Sequence, residues 1–277
     1  MTQKTILITG CSSGIGYDAA HTLNKRGWRV FATCRQEKDC ERLRGEGLES
    51  FTLDYGDEAS IKTAVAETLK RTGGTLDALY NNGAYAIPGA VEDLPRDAMR
   101  AIYEVNVFGY HDLTNHIIPV MRAQGHGRII NCSSVLGFAV LKYRGAYNSS
   151  KFALEGLTDT LRLEMHGTPI DIILIEPGPV TSKIRENSAP HFEKWIDWKN
   201  SPRAQIYENV LRKRLYANKD KPDTFELPPS AVSKKLIHAL ESKRPKPRYY
   251  ITTPTYAMGF LRRILPTRAF DWVLNKG

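Results

Sequence analysis

Cysteine is scarce in this chain of 277 residues, and long hydrophobic runs are absent. The four cysteines, Cys11, Cys34, Cys40 and Cys132, lack the spacing of a metal site, so we expect reduced thiols and no bound metal. No apolar stretch reaches the roughly 18 residues that span a bilayer. The N-terminal MTQK leads into TILITG without a secretory leader. Together these absences predict a cytoplasmic protein.

Repeats, low-complexity tracts and nucleic-acid-binding motifs are also absent from the sequence. Positive charge is nevertheless concentrated at one end, because residues 183–277 hold 20 of the 39 Lys and Arg but only 9 of the 30 Asp and Glu. Such a basic region could contact nucleic acid, an anionic membrane surface or only solvent. Since no nucleic-acid motif accompanies it, we expect no nucleic-acid partner.

Short β-rich runs alternate with helical patterns along the first 180 residues. The runs TILITG, WRVFAT and IDIILIEPG are examples, and each is apolar with little alternation. Strands of this kind are buried on both faces, which is typical of a parallel sheet. Right-handed crossovers between them predict an α/β fold with a doubly wound parallel sheet, a Rossmann-type three-layer α/β/α sandwich.

The regular alternation ends after Val180. Residues from 183 to about 228 are rich in charge and aromatic side chains, which predicts a helical insertion. A helix over LPPSAVSKKLIHALES, opened by Pro229, and a last strand at PRYYITT follow it. We therefore expect one domain over residues 1–277, with the insertion as an elaboration and a basic amphipathic segment at about 254–277.

The first predicted strand runs into a glycine-rich loop with the spacing Gly-x-x-x-Gly-x-Gly. Glycine in such a loop lets phosphates approach backbone N–H groups at a helix N-terminus, where the helix dipole favours anions. A purely structural turn between strand and helix is the alternative. The predicted phosphate contacts are Gly10, Ser12, Ser13, Gly14, Ile15 and Gly16.

Five further motifs follow this loop in order along the strands and helices. They are Asn81-Asn82-Gly83-Ala84, Asn106 in VNVFG, Ser134 in INCSSVLG, Tyr147 with Lys151 in YNSSK, and Glu176-Pro177-Gly178-Pro179-Val180. With the glycine loop, these motifs resemble the short-chain dehydrogenase/reductase family in its single-domain form, over about residues 5–182. In one departure, Gly83-Ala84 stands where the family carries Ala-Gly, which leaves both positions small.

The resemblance implies a nicotinamide dinucleotide cofactor, a carbonyl or alcohol substrate, and a homo-oligomer, dimeric or tetrameric. It also implies that Asp54 contacts the adenine and that Thr181 or Ser182 contacts the nicotinamide carboxamide, with Ser182 in the better register. The other implied cofactor contacts are Asn81, Tyr147, Lys151, Pro177, Gly178 and Val180.

Tyr147 and Lys151 form the only Tyr-x-x-x-Lys pair in the sequence, although one such pair is expected by chance among 13 tyrosines. Hydride transfer to a carbonyl needs a proton donor, and the ordinary tyrosine pKa of about 10 makes it a reluctant one at neutral pH. An ammonium one helical turn along would favour the phenolate and lower that pKa. We therefore expect Tyr147 to be the general acid or base and Lys151 to tune it and contact the ribose.

Two more residues complete the predicted catalytic group. Ser134 ends a predicted strand, at a spacing before Tyr147 that matches the family, and its hydroxyl would hydrogen-bond the substrate oxygen. The neighbouring Ser133 is the alternative. Asn106 resembles the family residue that holds a water between the lysine and solvent, which implies a relay role.

The end of the second predicted strand bears on the choice of cofactor. An acidic residue there would accept hydrogen bonds from a free ribose 2′-hydroxyl, but this chain has Cys34 followed by Arg35. A guanidinium suits a 2′-phosphate, with charge-assisted bonds that correspond to a preference of roughly 10- to 150-fold. We therefore predict NADP(H) over NAD(H). The alternative is that Arg35 is a solvated loop residue.

The predicted insertion carries a large aromatic content, in Phe192, Trp195, Trp198 and Tyr207. If these side chains cover the substrate, they suit a bulky hydrophobic molecule; the alternative is that they close the core. The basic C-terminal segment could lie on an anionic membrane surface, dock on its own domain or contact a partner subunit.

This arrangement is similar to the retinol and hydroxysteroid dehydrogenase branch of the family, which includes bacterial NADP-dependent aldehyde reductases. The resemblance implies an NADP(H)-dependent oxidoreductase of hydrophobic aldehydes, ketones or their alcohols, with retinal-, steroid- or long-chain-aldehyde-like substrates. Alternatives are a retinol or hydroxysteroid dehydrogenase that works in the oxidative direction, and a non-catalytic NADPH-sensing protein.

Overall fold

The computed structural model of the protein describes residues 3–217 and 222–276. Seven strands occur in these ranges: β1 (Thr5–Ile8), β2 (Arg29–Cys34), β3 (Glu49–Thr52), β4 (Ala78–Asn81), β5 (Gly127–Cys132), β6 (Ile170–Glu176) and β7 (Arg248–Tyr250). They form one all-parallel sheet in the order β3-β2-β1-β4-β5-β6-β7. The predicted doubly wound parallel sheet is confirmed.

Helices follow the strands in alternation. They are α1 (Gly14–Lys25), α2 (Glu37–Gly45), α3 (Glu58–Thr72), α4 (Arg96–Tyr103), α5 (Gly109–Gln124), α6 (Gly145–Glu164), α7 (Ile184–Trp195), α8 (Ala204–Ile206), α9 (Lys213–Tyr216), α10 (Ser230–Glu241), α11 (Thr253–Ile264) and α12 (Thr267–Lys276). Short 3₁₀ turns lie at Val91–Asp93 and Val135–Gly137, and π-helical turns at Glu104–Phe108 and Tyr207–Arg212.

Local sequence sets several helix ends. Asp57 precedes α3, and its carboxylate accepts a hydrogen bond from the backbone N–H of Ala59 at 2.9 Å. Gly73 and Gly125 end α3 and α5 with φ of 70° and 78°, a left-handed conformation that glycine adopts at little cost. Asp57 thus marks where α3 begins, and the two glycines mark where α3 and α5 end before the next strand.

Apolar side chains cover both faces of the sheet. On one face α1, α2 and α10 pack through residues that include Ala19, Leu43 and Leu236. On the other face α3, α5 and α6 pack, with Ile61 and Leu113 among the buried residues. The strands are therefore buried between two helical layers, which is the expected three-layer sandwich.

A network of buried amides holds the carboxyl edge of the sheet between β4 and β5. The amide nitrogen of Asn81 donates to Asn131 at 2.8 Å and to Thr114 of α5 at 3.1 Å. Its oxygen accepts from the Tyr55 hydroxyl at 2.6 Å, while Asn131 donates to Thr158 of α6 at 3.0 Å. Because the strand order reverses between β1 and β4, this edge is the switch point at which α/β proteins bind ligands.

The predicted insertion, residues 183–228, contains α7, α8 and α9. Its residues 218–221 lie outside the described residues. Phe192 and Tyr207 are fully buried in a third apolar cluster, so these two rings close the core. Trp195 and Trp198 are only half-buried and remain candidates for a substrate-covering role. That role, like the single-domain organisation, stays a prediction.

The C-terminal segment predicted at about 254–277 consists of α11 and α12; Gly277 lies outside the described residues. Gly259 of α11 and Phe270 of α12 are buried, so the segment docks on the rest of the chain along one side. No helix in the described ranges is both long enough and apolar enough to cross a bilayer.

Candidate active site

The loop after β1 needs glycine at two points of close contact. Gly10 has a φ of 68°, and a Cβ there would lie 2.7 Å from the Cα of Gly83. A Cβ on Gly16 would lie 2.4 Å from the carbonyl oxygen of Gly10. Gly83 itself has little room, because a Cβ there would lie 3.3 Å from the Tyr55 ring. The exchange of Gly and Ala against the family pattern therefore places the smaller residue where the two loops touch.

The N-terminus of α1 faces this loop with free backbone donors. Ser13 precedes the helix without capping it by its side chain, and the first turn carries no acidic residue. The N–H groups of Gly14 and Ile15 are therefore available to an anion, and their contact with a phosphate stays a prediction. The exposed Ser12 lies beside them, and its carbonyl oxygen accepts a hydrogen bond from Arg42 of α2 at 2.7 Å.

Lys151 lies on α6 with its ammonium fully inside the protein. Its Nζ donates to the carbonyl oxygen of Cys132, at the end of β5, at 2.7 Å. It lies 5.7 Å from the centroid of the Tyr147 ring and 5.3 Å from that of Tyr110. Burial lowers the pKa of Lys151 to about 8. Lys151 thus lies near Tyr147 but donates its hydrogen bond to the backbone of β5.

Tyr147 is buried, one helical turn before this lysine. Burial raises the pKa of its hydroxyl above the ordinary value, whereas the Ser134 hydroxyl and the Arg144 charge lower it. We expected Lys151 to provide the lowering. Its Nζ lies 5.7 Å from the centroid of the Tyr147 ring, and its role as the group that tunes the tyrosine stays a prediction.

Arg144 is a residue that the sequence analysis did not single out. It directly precedes α6, and burial, followed by the charges of Arg214 and Arg185, lowers its pKa to about 10. Within the described residues its guanidinium has no carboxylate partner. The only available signal was its position three residues before Tyr147.

Ser134 and Ser133 point to different surroundings. The Ser134 Oγ accepts from the backbone N–H of Leu136 at 3.1 Å and donates to the Pro177 carbonyl at 3.4 Å, on the side of Tyr147. The Ser133 Oγ is buried, has no hydrogen-bond partner in the described part of the chain, and faces Gly137. The geometry favours Ser134 as the hydroxyl that meets a substrate.

Asn106 lies within the π-helical turn between α4 and α5. Its amide nitrogen donates to the Tyr85 carbonyl at 2.9 Å and to the Ser150 hydroxyl at 3.1 Å, while its oxygen accepts from the Tyr85 N–H at 3.2 Å. It therefore ties the chain after β4 to the residue next to Lys151. A π-helical turn is common at functional sites, but nothing in the sequence predicted this one.

The two residues expected at the adenosine end follow β2 and β3. Arg35 is exposed and directly follows β2. The pKa of His191 is lowered by the burial of its own imidazole and then by the charge of Arg35. Asp54 is half-buried, and its Oδ1 accepts from the N–H of Gly56 at 3.0 Å. His191 stacks on Tyr85 with 4.1 Å between ring centroids. The charge of Arg35, at the end of β2, thus acts on His191 of α7.

Asn81 is placed less directly than expected. It is fully buried, and both polar atoms of its side chain belong to the amide network at the carboxyl edge of the sheet. A contact between this residue and a cofactor would therefore have to come from its backbone.

The chain after β6 passes the glycine loop. Gly178 packs against Thr252, whose Oγ1 would lie 2.0 Å from a Cβ on the glycine. Val180 pairs with Leu227 in an isolated bridge. No sequence pattern indicated the Thr252 contact, because it joins segments far apart in the chain.

Thr181 and Ser182 differ in what their side chains contact. The Thr181 hydroxyl donates to Glu226 at 2.6 Å. Ser182 faces Gly14, because a Cβ added to Gly14 would lie 3.4 Å from the Cβ of Ser182. Ser182 is therefore the residue beside the glycine loop, and its contact with a nicotinamide stays a prediction.

Among the residues that the structure describes, no group of three or more His, Cys, Asp or Glu side chains is arranged to hold a metal ion. The four cysteines are all free thiols.

Comparison with known proteins identifies the family. The family model described as short chain dehydrogenase matches residues 4–192. The chain belongs to the short-chain dehydrogenase family. It is 35% identical over 273 residues to an uncharacterized oxidoreductase, YbbO of Escherichia coli K12, across 99% of this chain and 94% of the relative. It is also 32% identical to retinol dehydrogenase 7 of Mus musculus, across 90% and 80%. The chain is therefore an oxidoreductase.

Solved structures agree with the fold. A short-chain dehydrogenase from Streptomyces avermitilis superposes with a TM-score of 0.78 at 25% identity and covers 99% of this chain and 97% of that one. A Burkholderia phymatum short-chain dehydrogenase/reductase in complex with NAD gives 0.77 at 23% identity, with 94% and 92% covered. A variant of actinorhodin polyketide ketoreductase with NADPH gives 0.72 at 25% identity, with 90% and 95% covered.

Proposed function

We propose that this protein is an NADP(H)-dependent oxidoreductase that transfers a hydride between the nicotinamide and a bulky hydrophobic aldehyde or ketone, or its alcohol. The observation that carries the proposal is the convergence of Tyr147, Lys151 and Ser134 at the carboxyl edge of the parallel sheet, the edge at which the glycine loop after β1 also lies. Solved relatives that hold NAD or NADPH support a nicotinamide cofactor.

The residues around the cleft fit this cofactor. Free N–H groups at the start of α1 suit the pyrophosphate, and the close Gly10–Gly16 contact keeps side chains out of its path. The exposed guanidinium of Arg35 suits a ribose 2′-phosphate, which supports NADP(H). Ser182 is available to the nicotinamide amide. The bound cofactor supplies or accepts the hydride.

The protein's own groups handle the proton and the developing charge. In the reductive direction the Tyr147 hydroxyl gives its proton to the substrate oxygen, and Ser134 donates a hydrogen bond to the same oxygen. Lys151 stabilises the tyrosinate by its charge and contacts the ribose, and Asn106 holds the water that reconnects the lysine to solvent. Reversal of these steps oxidises an alcohol.

Half-buried aromatic groups support a hydrophobic substrate. Trp195 and Trp198 lie on and just after α7, and the Tyr85–His191 stack lies beside them. The similarity to a retinol dehydrogenase points to the same class of substrate and keeps the oxidative direction as the second candidate. A cytoplasmic location, a dimer or tetramer, and membrane contact through the C-terminal segment complete the proposal.

The test is consumption of NADPH or NADH by the purified chain with retinal, aliphatic aldehydes, ketosteroids and quinones. We expect turnover with NADPH and the larger apolar carbonyls, and none in Tyr147→Phe, which should still bind NADPH. Binding of NADPH without turnover of any carbonyl or alcohol would favour the sensor alternative. Normal turnover by Tyr147→Phe would contradict the assignment of the proton donor.

A further inference from the structure

A cavity of about 480 Å³ opens between α10, β7 and α11. Its wall carries the positive side chains of Lys234, Lys235, Lys246, Arg248 and Arg263, and no Asp or Glu contributes to it. His238, Pro247 and three tyrosines line the remainder of the wall. None of the proposed catalytic residues takes part, so this cavity is separate from the candidate active site.

Only one of these five cations is neutralised. Arg248 pairs with Asp159 and Glu176 at 2.5 Å and with Glu155. Lys234, Lys235, Lys246 and Arg263 form no ion pair in the part of the chain that the structure describes. Against the three carboxylates around Arg248, the five cations leave a net positive charge around the cavity, which attracts an anion.

An apolar ridge on α11 continues from the rim of this cavity. Tyr256, Phe260 and Ile264 follow one another at intervals of four residues and thus share one face of the helix. They are 51%, 61% and 56% exposed. Tyr256 also lines the cavity, as does Arg263 between Phe260 and Ile264. The ridge and the cationic cavity therefore form one continuous surface.

The rest of α11 and the following helix fit the same surface. Gly259, about 100° around the helix from Phe260, is buried, and a Cβ there would lie 2.6 Å from the Tyr250 ring, so this neighbouring face of α11 packs on the domain and leaves the ridge outside. Trp272 of α12 is 60% exposed and carries Lys276 over its ring at 3.7 Å. Exposed large apolar groups among cations are typical of interfacial helices. A small water-soluble anion bound in the cavity would leave these apolar groups without contact.

We propose that the cavity binds the phosphate group of an anionic phospholipid while the ridge Tyr256-Phe260-Ile264 enters the boundary between headgroups and acyl chains. The cations supply the electrostatic attraction to the headgroup, and the ridge supplies apolar contact with the acyl region. This site rests on the membrane contact proposed above for the C-terminal segment and names its lipid partner. It uses none of the residues assigned to the reaction, so either proposal can fail without the other.

The experiment is flotation of the full-length protein with vesicles of phosphatidylcholine alone or with phosphatidylglycerol added. We expect partition only into the anionic vesicles. The double variants Lys234→Glu/Lys246→Glu and Phe260→Ser/Ile264→Ser should each lower the partition coefficient by about tenfold or more. The control Lys25→Glu/Lys70→Glu changes the net charge equally at exposed sites on α1 and α3 and should partition like the wild type. Thermal melts verify that each variant is folded.

A second measurement separates a lipid from a soluble phosphate. Glycerol 3-phosphate and inorganic phosphate are tested for a shift of the melting temperature. No shift by either, together with the vesicle results above, supports the lipid site. Equal partition of the cavity variant and its charge-matched control would overturn it. If inorganic phosphate or glycerol 3-phosphate raised the melting temperature and the protein did not partition into anionic vesicles, the cavity would be assigned to a soluble anion instead.

Discussion

The ammonium of Lys151 lies 2.7 Å from the carbonyl oxygen of Cys132 and donates to it, not to Tyr147. The lysine is 1% exposed, so its charge is held by a strand carbonyl inside the protein. Burial of a charge costs free energy, and here the cost is expressed as a pKa lowered to about 8. The residue that serves the proposed reaction therefore destabilises the fold that holds it.

The Lys151→Met variant should remove a pH dependence of stability. Below pH 8 both folded and unfolded wild type hold this proton; between pH 8 and about 10.5 only the unfolded chain holds it, so stability rises with pH. This gain amounts to about 3 kcal/mol. Urea unfolding of the cofactor-free protein across this window should show the gain in wild type and in the exposed control Lys70→Met. An unchanged slope in Lys151→Met would mean that the lysine is neutral or solvated.

The charge at Arg35 should decide between the two nicotinamide cofactors. Arg35→Asp should lower kcat/KM for NADPH and raise it for NADH, with a change in their ratio of roughly 10-fold or more, because a carboxylate repels the 2′-phosphate and accepts from a 2′-hydroxyl. Lys38→Asp is the control, because Lys38 is an exposed residue of α2 only three positions after Arg35. Equal shifts in both variants would indicate a general field effect and contradict a direct contact.

Most of the fold could be predicted because its strands are apolar on both faces and alternate with helices. The doubly wound parallel sheet follows from that alternation and from right-handed crossovers, whereas the order of its strands comes from the structure. The fold was less predictable where burial decides it. Phe192 and Tyr207 lie in the insertion but are fully buried, the latter with its hydroxyl accepting from Ala90 N–H at 2.8 Å.

The candidate site, like the fold, could be predicted from the sequence only in part. Motifs indicated the positions of Tyr147, Lys151 and Ser134, but not which neighbours set their pKa values. The contacts of Arg144 and Thr252 depend on tertiary approach, which no local spacing encodes. Side-chain direction is therefore the part of the site that only the structure supplies.

The glycine loop should be intolerant of a single methyl group. In Gly16→Ala the new Cβ would lie 2.4 Å from the Gly10 carbonyl oxygen, so the loop must shift and its N–H groups lose their alignment. We expect cofactor affinity to fall by at least about tenfold, as measured by fluorescence titration. The control is Gly156→Ala on α6, where a Cβ meets no described atom within 4 Å and should stabilise the helix by about 1 kcal/mol. Unimpaired cofactor binding in Gly16→Ala would contradict the assigned cradle.

Arg144 should affect oxidation and reduction unequally. Its positive charge lowers the pKa of Tyr147, so Arg144→Met should raise that pKa. Alcohol oxidation needs the tyrosinate, so at neutral pH it should slow, and the rise of its kcat/KM with pH should move to higher pH. Carbonyl reduction needs the protonated tyrosine and should keep its kcat at neutral pH.

The conservative variant Arg144→Lys tests whether charge is the cause. It retains a positive group before α6 and should restore the oxidative pH profile toward that of wild type. If Arg144→Met slowed both directions equally and the lysine did not restore either, the arginine would act through substrate binding or packing. Parallel measurement of both directions across pH therefore distinguishes an electrostatic role at Tyr147 from a structural one.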